Sequence, residues 1–229
     1  MSGPILIFDS GVGGLSVARA LRQHYPSAAL CYACDNAWLP YGLRDDATLA
    51  KRIVMVCQAA VQACQASVLV VACNTASTLA LEGLRQTLSI PVIGTVPAIK
   101  PAALMSTSRH IGLLATTATV NRPYTQGLID SFASDCVVTK IAADALVTEA
   151  EAWLAGTPRI QQALAPLWQA TQESPALDTV VLGCTHFPLL QPLLVTLAPA
   201  PITWVDSGDA IARRVGQVAT TLVSSAHDG

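Results

Sequence analysis

Charge is scarce in this chain. Only 12% of its 229 residues are Asp, Glu, Lys or Arg, and the formal net charge is -2, where soluble proteins usually carry about 25% charged residues. So weak a balance gives no support for nucleic acid or an anionic membrane as partner. Lysine is scarcer still. There are three, Lys51, Lys100 and Lys140, and none follows a strand in the Gly- or Ser-rich setting that a pyridoxal phosphate site would use, which makes cofactor-free chemistry the simpler expectation. Long apolar runs are missing as well. Apolar residues reach 52%, yet Pro, Gly or polar residues interrupt every run well short of the ~20 that a spanning helix needs. The opening "MSGPILIFDSGVGG" has no basic n-region, and Asp9 breaks its apolar run early, so no secretory signal is expected. Seven cysteines, an odd number without an export signal, imply reduced thiols and a cytoplasmic protein.

What the chain does have is alternation. Short apolar runs at 4–8, 29–33, 67–72, 91–94, 110–115, 136–140, 179–183 and 202–205 read as strands, and their lack of polar alternation marks strands buried on both faces. Between them lie segments with apolar residues at helical spacing, such as 47–65 and 158–172. This order predicts an α/β protein with mainly parallel sheets flanked by helices, and although eight strands could form one sheet, a break near the middle of the chain favours two α/β domains. "GTVPAIKPAALM" (94–105) reads as the hinge. The expected division is 1–97 plus 206–229 for the first domain and 98–205 for the second, with the active site in the interdomain cleft.

Ligands of open parallel sheets bind beyond the carboxyl ends of the strands, so the residues that follow each run carry the functional reading. They are Asp9-Ser10-Gly11, Asp35-Asn36 and Cys73-Asn74-Thr75 in the first half, and Thr116 to Thr119 and Cys184-Thr185-His186 in the second. Each half supplies one cysteine and one hydroxyl-rich turn. Two thiols facing one small ligand suit inversion of a stereocentre that bears an acidic hydrogen, one acting as base and the other as acid. Thr75 and Thr185 are expected as caps of helices that start directly after the cysteines, which would lower the thiol pKa and offer N–H groups to a carboxylate.

Blander readings stand beside these. Cys73 or Cys184 alone would more often be a packed thiol, and their shared context moves the balance. Cys57 and Cys64, seven apart on one helix face, read as core, and Cys136 takes no role. Cys31 and Cys34 form a C-x-x-C with no second ligand pair, a weak basis for zinc, so no metal is expected. His186 serves as core or as a thiol-orienting relay. Asp9 caps the helix begun by "GVGGLS", accepts a substrate ammonium, or partners Cys73. Tyr41 earns no role from spacing alone. The rival from another class is a nicotinamide-dependent oxidoreductase with a catalytic thiol, suggested by "GVGGLS" and Asp35. Ser16 in place of the third Gly, and Asp9 facing a pyrophosphate, count against it.

"FDSGVGGLSV", "DNAWLPYG", "VVACNTAS", "PVIGTVPAIKPA", "IGLLATTATV", "DTVVLGCTHFPLL" and "VDSGDAIARR", in order over roughly 5–214, resemble the glutamate racemases of the aspartate/glutamate racemase superfamily. The resemblance implies a cofactor-independent enzyme that interconverts L- and D-glutamate and supplies D-glutamate for peptidoglycan, built of two similar α/β domains with the site between them. It implies Cys73 and Cys184 as the acid/base pair, the first acting on the D- and the second on the L-enantiomer, assisted by Asp9 and His186. Ser10, Tyr41, Gly42, Asn74, Thr75, Thr116, Thr119 and Thr185, with Asp9 and His186, would hold the substrate. Aspartate racemase is the alternative within the superfamily, and it typically has Glu where His186 stands. Family members often carry Val-Glu where this chain has Val147-Thr148, and the assisting acid is assigned to neither Thr148 nor Glu149. The expected partner is a small molecule, glutamate, and a homodimer is left open.

Overall fold

Among the residues that the computed structural model describes, 3–153, 156 and 160–225, each of the eight apolar runs becomes a strand. The chain divides into two units, Met1–Thr95 with Ser207–Gly229, and Val96–Asp206. The first unit runs β1 (Ile5–Asp9), α1 (Leu15–His24), β2 (Leu30–Cys34), α2 (Asp46–Cys64), β3 (Val68–Val71), α3 (Asn74–Thr87) and β4 (Val92–Gly94). Its strands form one parallel sheet in the order β2-β1-β3-β4.

Successive side chains of a strand point to opposite faces, and both faces here are apolar. Leu6, Phe8, Leu69 and Val71 pack with Leu49 and Ile53 of α2 and Leu84 of α3. Ile5, Ile7, Val68 and Val70 pack with Val17 and Leu21 of α1. Burying one such side chain contributes about 1.5–3 kcal/mol, which is why the central strands carry no polar alternation. Asp45 caps α2 by accepting the Thr48 N–H at 2.9 Å. Gln65 ends that helix with φ at 51°, a left-handed conformation usual for a C-terminal cap.

The second unit runs α4 (Ile99–Met105), β5 (His110–Ala115), α5 (Thr117–Asn121), α6 (Pro123–Phe132), β6 (Val137–Ala142), α7 (Ala145–Trp153), α8 (Ile160–Ala163), α9 (Ala165–Glu173), β7 (Thr179–Leu182), α10 (Gln191–Leu197) and β8 (Thr203–Val205). Its parallel sheet has the order β6-β5-β7-β8, the same as the first with every index raised by four. One face packs Leu114, Val180 and Leu182 with Leu146 of α7 and Leu167 of α9. The other packs Ile111, Leu113 and Val181 with Ile99 of α4 and Ile129 of α6. The chain then rejoins the first unit as α11 (Gly208–Ser225), whose Ile211, Ala212 and Val215 join the α1 side of that core.

The single helix expected over 158–172 is broken, and its first two positions lie outside the described residues. Within the rest, α8 stops at Ala163 and α9 restarts at Ala165 with Pro166 in its first turn. Pro has no N–H to donate to the preceding turn, so the helix restarts there. Among the described residues no helix is long and apolar enough to cross a membrane.

Candidate active site

In each sheet the chain leaves the first strand toward one edge and resumes on that strand's other side. A crevice opens at such a reversal, beyond the strand carboxyl ends. In the first unit it lies between β1 and β3, which end in Asp9-Ser10 and in Ala72-Cys73. Asp9 is fully buried. Its Oδ1 accepts the Ser10 N–H at 2.6 Å, and Ser10 Oγ lies 3.9 Å from Cys73 Sγ. Cys73, 6% exposed, is itself the N-cap residue of the 14-residue α3. Its thiol therefore sits at the positive end of a long helix. The turn is pinned from below, because Ser77 Oγ and Thr95 Oγ1 both donate to the Val71 carbonyl, at 3.0 and 2.9 Å. Thr75 is buried in the first turn. Asn74 is also buried, and its Oδ1 has no hydrogen-bond donor among the described residues. Leaving such an acceptor unsatisfied costs about 1–3 kcal/mol, a cost that a ligand ammonium would remove.

Tyr41 is buried in the same core as Cys73, and Gly42 follows it in a 3-10 turn, Tyr41–Leu43. The phenol donates to Asp35 Oδ2 at 2.9 Å, and Arg52 grips both oxygens of that carboxylate at 2.6 Å each. The Arg52 hydrogen bonds hold the Asp35 carboxyl below the usual carboxylate range. Burial, followed by the hydrogen bond to Asp35, pushes the Tyr41 phenol far up, so it stays a neutral donor. Asp35 is thus already engaged and does not present a free acid to a ribose.

In the second unit the crevice lies between β5 and β7. Thr116 ends β5 and caps α5, with its Oγ1 3.0 Å from that of the buried Thr119. At the end of β7, Gly183 lies so close to its neighbour that a Cβ would stand 2.8 Å from Leu113 Cδ1 and 3.0 Å from Ala115 Cβ. Cys184 follows, then the buried Thr185 and His186. Cys184 Sγ is 3.6 Å from His186 Nδ1, and His186 Nε2 is 2.6 Å from Glu151 Oε1 on α7. His186 turns Nδ1 to the thiol and Nε2 to the carboxylate, and an ionised carboxylate would accept from a protonated Nε2. Thiol, imidazole and carboxylate thus form one hydrogen-bonded chain.

The sequence profile of the family described as Asp/Glu/Hydantoin racemase matches residues 15–215. The chain belongs to this racemase family. It is 51% identical over 215 residues to the glutamate racemase of Shewanella loihica, covering 94% of this chain and 80% of that protein. It is 49% identical over 232 residues to that of Shewanella denitrificans, covering 100% and 83%. The Escherichia coli glutamate racemase, solved in complex with L-glutamate and the activator UDP-MurNAc-ala, matches with a TM-score of 0.90 at 44% identity over 94% of this chain and 82% of that one. Membership makes the chain an isomerase.

Within this racemase two expectations need correction. The helix start expected after both cysteines exists only at Cys73, where Cys73 rather than Thr75 holds the cap position. After Cys184 comes a 3-10 turn, Phe187–Leu189, too short to supply a helix dipole, and His186 is the group that faces this thiol. Asp9 does not cap α1, because Gly14 holds that position with no side-chain cap. The reading of the sequence also missed Glu151. Thr148 is exposed, and Glu151, three residues on in α7, is the carboxylate that reaches the buried His186. The grip of Arg52 on Asp35 was missed as well.

Proposed function

We propose that this chain racemises glutamate without a cofactor, by proton transfer at Cα between Cys73 and Cys184. The observation that carries the reading is positional equivalence. Both cysteines follow the third strand of sheets that share one strand order, each at the reversal of that order, and each with a polar group within reach of its sulfur. In the direction from L- to D-glutamate, the Cys184 thiolate takes the Cα hydrogen, forming S–H, and leaves the electron pair on Cα conjugated with the carboxylate. The Cys73 thiol then gives its proton to the opposite face. The reverse direction exchanges the roles. His186, held by Glu151, faces Cys184, and the start of α3 with Ser10 surrounds Cys73. The unsatisfied Asn74 Oδ1 suits the substrate ammonium. The hydroxyls of Thr75, Thr116, Thr119 and Thr185, with the Tyr41-Gly42 turn, suit its carboxylates.

Lys51, Lys100 and Lys140 are all exposed, which supports a reading without a buried Schiff-base lysine. All seven cysteines are free thiols, in keeping with action in a reducing cytoplasm, where the D-glutamate would serve peptidoglycan synthesis. Polarimetry tests the proposal. Purified protein should bring L-glutamate and D-glutamate to zero rotation and leave aspartate unchanged. Activity on aspartate alone, or on neither amino acid, would overturn it.

A further inference from the structure

The segment from Asp35 to Asp45, between β2 and α2, carries Tyr41 and Gly42 but belongs to no sheet. It contains only two short 3-10 turns, Asn36–Trp38 and Tyr41–Leu43. Its anchor is a residue of α2. The Arg52 guanidinium donates through Nε and Nη2 to the two oxygens of Asp35, both at 2.6 Å, and its carbon lies 4.7 Å from the centre of the Trp38 ring. Asp35, whose side chain is 4% exposed, accepts the Tyr41 hydroxyl on the same oxygen that Arg52 Nε grips. Arg44 also donates to the Trp38 carbonyl at 3.1 Å, and its guanidinium carbon lies 5.7 Å from the centre of the same ring. One side chain of a rigid helix therefore fixes the beginning of the segment through Asp35 and its middle through Trp38. By way of Asp35 it also sets the direction of the Tyr41 hydroxyl.

We infer that Arg52 is a positioning residue for substrate binding, acting through Asp35 and Trp38 on the Tyr41-Gly42 turn. The inference rests on the racemase reading of this site. A guanidinium matches a carboxylate in a planar fork and stacks on an aromatic ring at the same time, which a lysine ammonium does not do. Loss of the fork strands a buried carboxylate beside Tyr41, and the turn loses its direction while Cys73, on another element, keeps its place. A segment that only binds substrate affects ground and transition states alike, so its loosening raises KM and spares kcat.

The test is the KM of Arg52→Met, Arg52→Lys and the double variant Asp35→Asn/Arg52→Met for each enantiomer of glutamate, with a thermal melt beside each. The expected result for Arg52→Met is a KM raised about tenfold for both enantiomers with kcat within about threefold. Arg52→Lys should lie between it and the wild type. The double variant should be no worse than Arg52→Met, because the two residues act as a unit. A KM for Arg52→Met within about twofold of wild type overturns the inference, whatever happens to the melting temperature, as does a fall in kcat alone. If Arg52→Met does not fold, the double variant, which leaves no unpaired charge, carries the test with the same two readings. Wild-type protein that racemises no glutamate sinks the racemase reading itself, whereas an active wild type with an unchanged variant KM sinks only the role of Arg52.

Discussion

The place of Cys73 and Cys184 beyond strand ends was legible residue by residue, because each follows an uninterrupted apolar run. Glu151 was not legible. On a helix every residue turns by about 100°, and the sequence does not say which of Thr148, Glu149 and Glu151 faces the end of β7. The contact at 2.6 Å to His186 decides it. Glu151→Gln keeps the shape and removes the charge that fixes the imidazole tautomer. It should lower kcat/KM about tenfold or more. The two enantiomers have equal free energy, so the factor must be the same in both directions. Glu149→Gln should change it by less than about twofold, and steady-state kinetics with both variants checks this. If instead Glu149→Gln showed the larger loss, the chain from Cys184 to Glu151 would not be the working one.

Elements are where the sequence was most readable, and where its failures have plain causes. Central strands buried on both faces cannot be polar, so β1, β3, β5 and β7 stand out as runs of Ile, Leu and Val. The edge strand β6 runs to Ala142, beyond the expected residue 140, because its exposed positions make the run look finished at Lys140. Pro166 breaks a periodic pattern that otherwise reads as one helix. Gly183 shows how an element places a side chain. A Cβ there would meet Leu113 Cδ1, Ala115 Cβ and the Leu114 carbonyl oxygen at 2.8, 3.0 and 3.2 Å, so Gly183→Ala crowds the end of β7, which Cys184 follows. The expected cost is about 1–3 kcal/mol of stability, with a fall in kcat larger than the fall in folded fraction. Denaturant melts beside kinetics check both, and a fully stable, fully active variant would show that the strand end adjusts freely.

At the scale of the whole molecule, the second sheet has the candidate site beyond the carboxyl ends of its strands and a heavily hydrogen-bonded carboxylate at the amino ends. At the amino ends of its strands Asp178 accepts from Ser106 Oγ at 2.6 Å, from Thr107 N and Oγ1 at 2.9 and 2.8 Å, and from Ser108 N at 2.8 Å. Burial alone would raise this carboxyl, but hydrogen bonds led by that from Ser106 outweigh it and hold it well below the usual range. A depressed pKa stabilises the fold above the unfolded value, and the gain fades as the pH falls through the folded value. The melting temperature of Asp178→Asn should therefore trail the wild type most near neutral pH, and the gap should begin to narrow below about pH 4 and close only as the pH falls through the depressed folded value. A gap that does not change with pH would contradict this account of Asp178.

The repeated strand order supports the central proposal, that Cys73 and Cys184 exchange the proton at Cα of glutamate. Racemisation of L-glutamate in deuterated water tests it most directly, with wild type, Cys73→Ala and Cys184→Ala compared by mass and chirality of the product. The account predicts that wild type yields D-glutamate carrying one solvent deuterium at Cα, and that each single variant loses at least about a hundredfold in rate. Racemisation at the wild-type rate in either variant, or D-glutamate that has kept its original hydrogen, would contradict it.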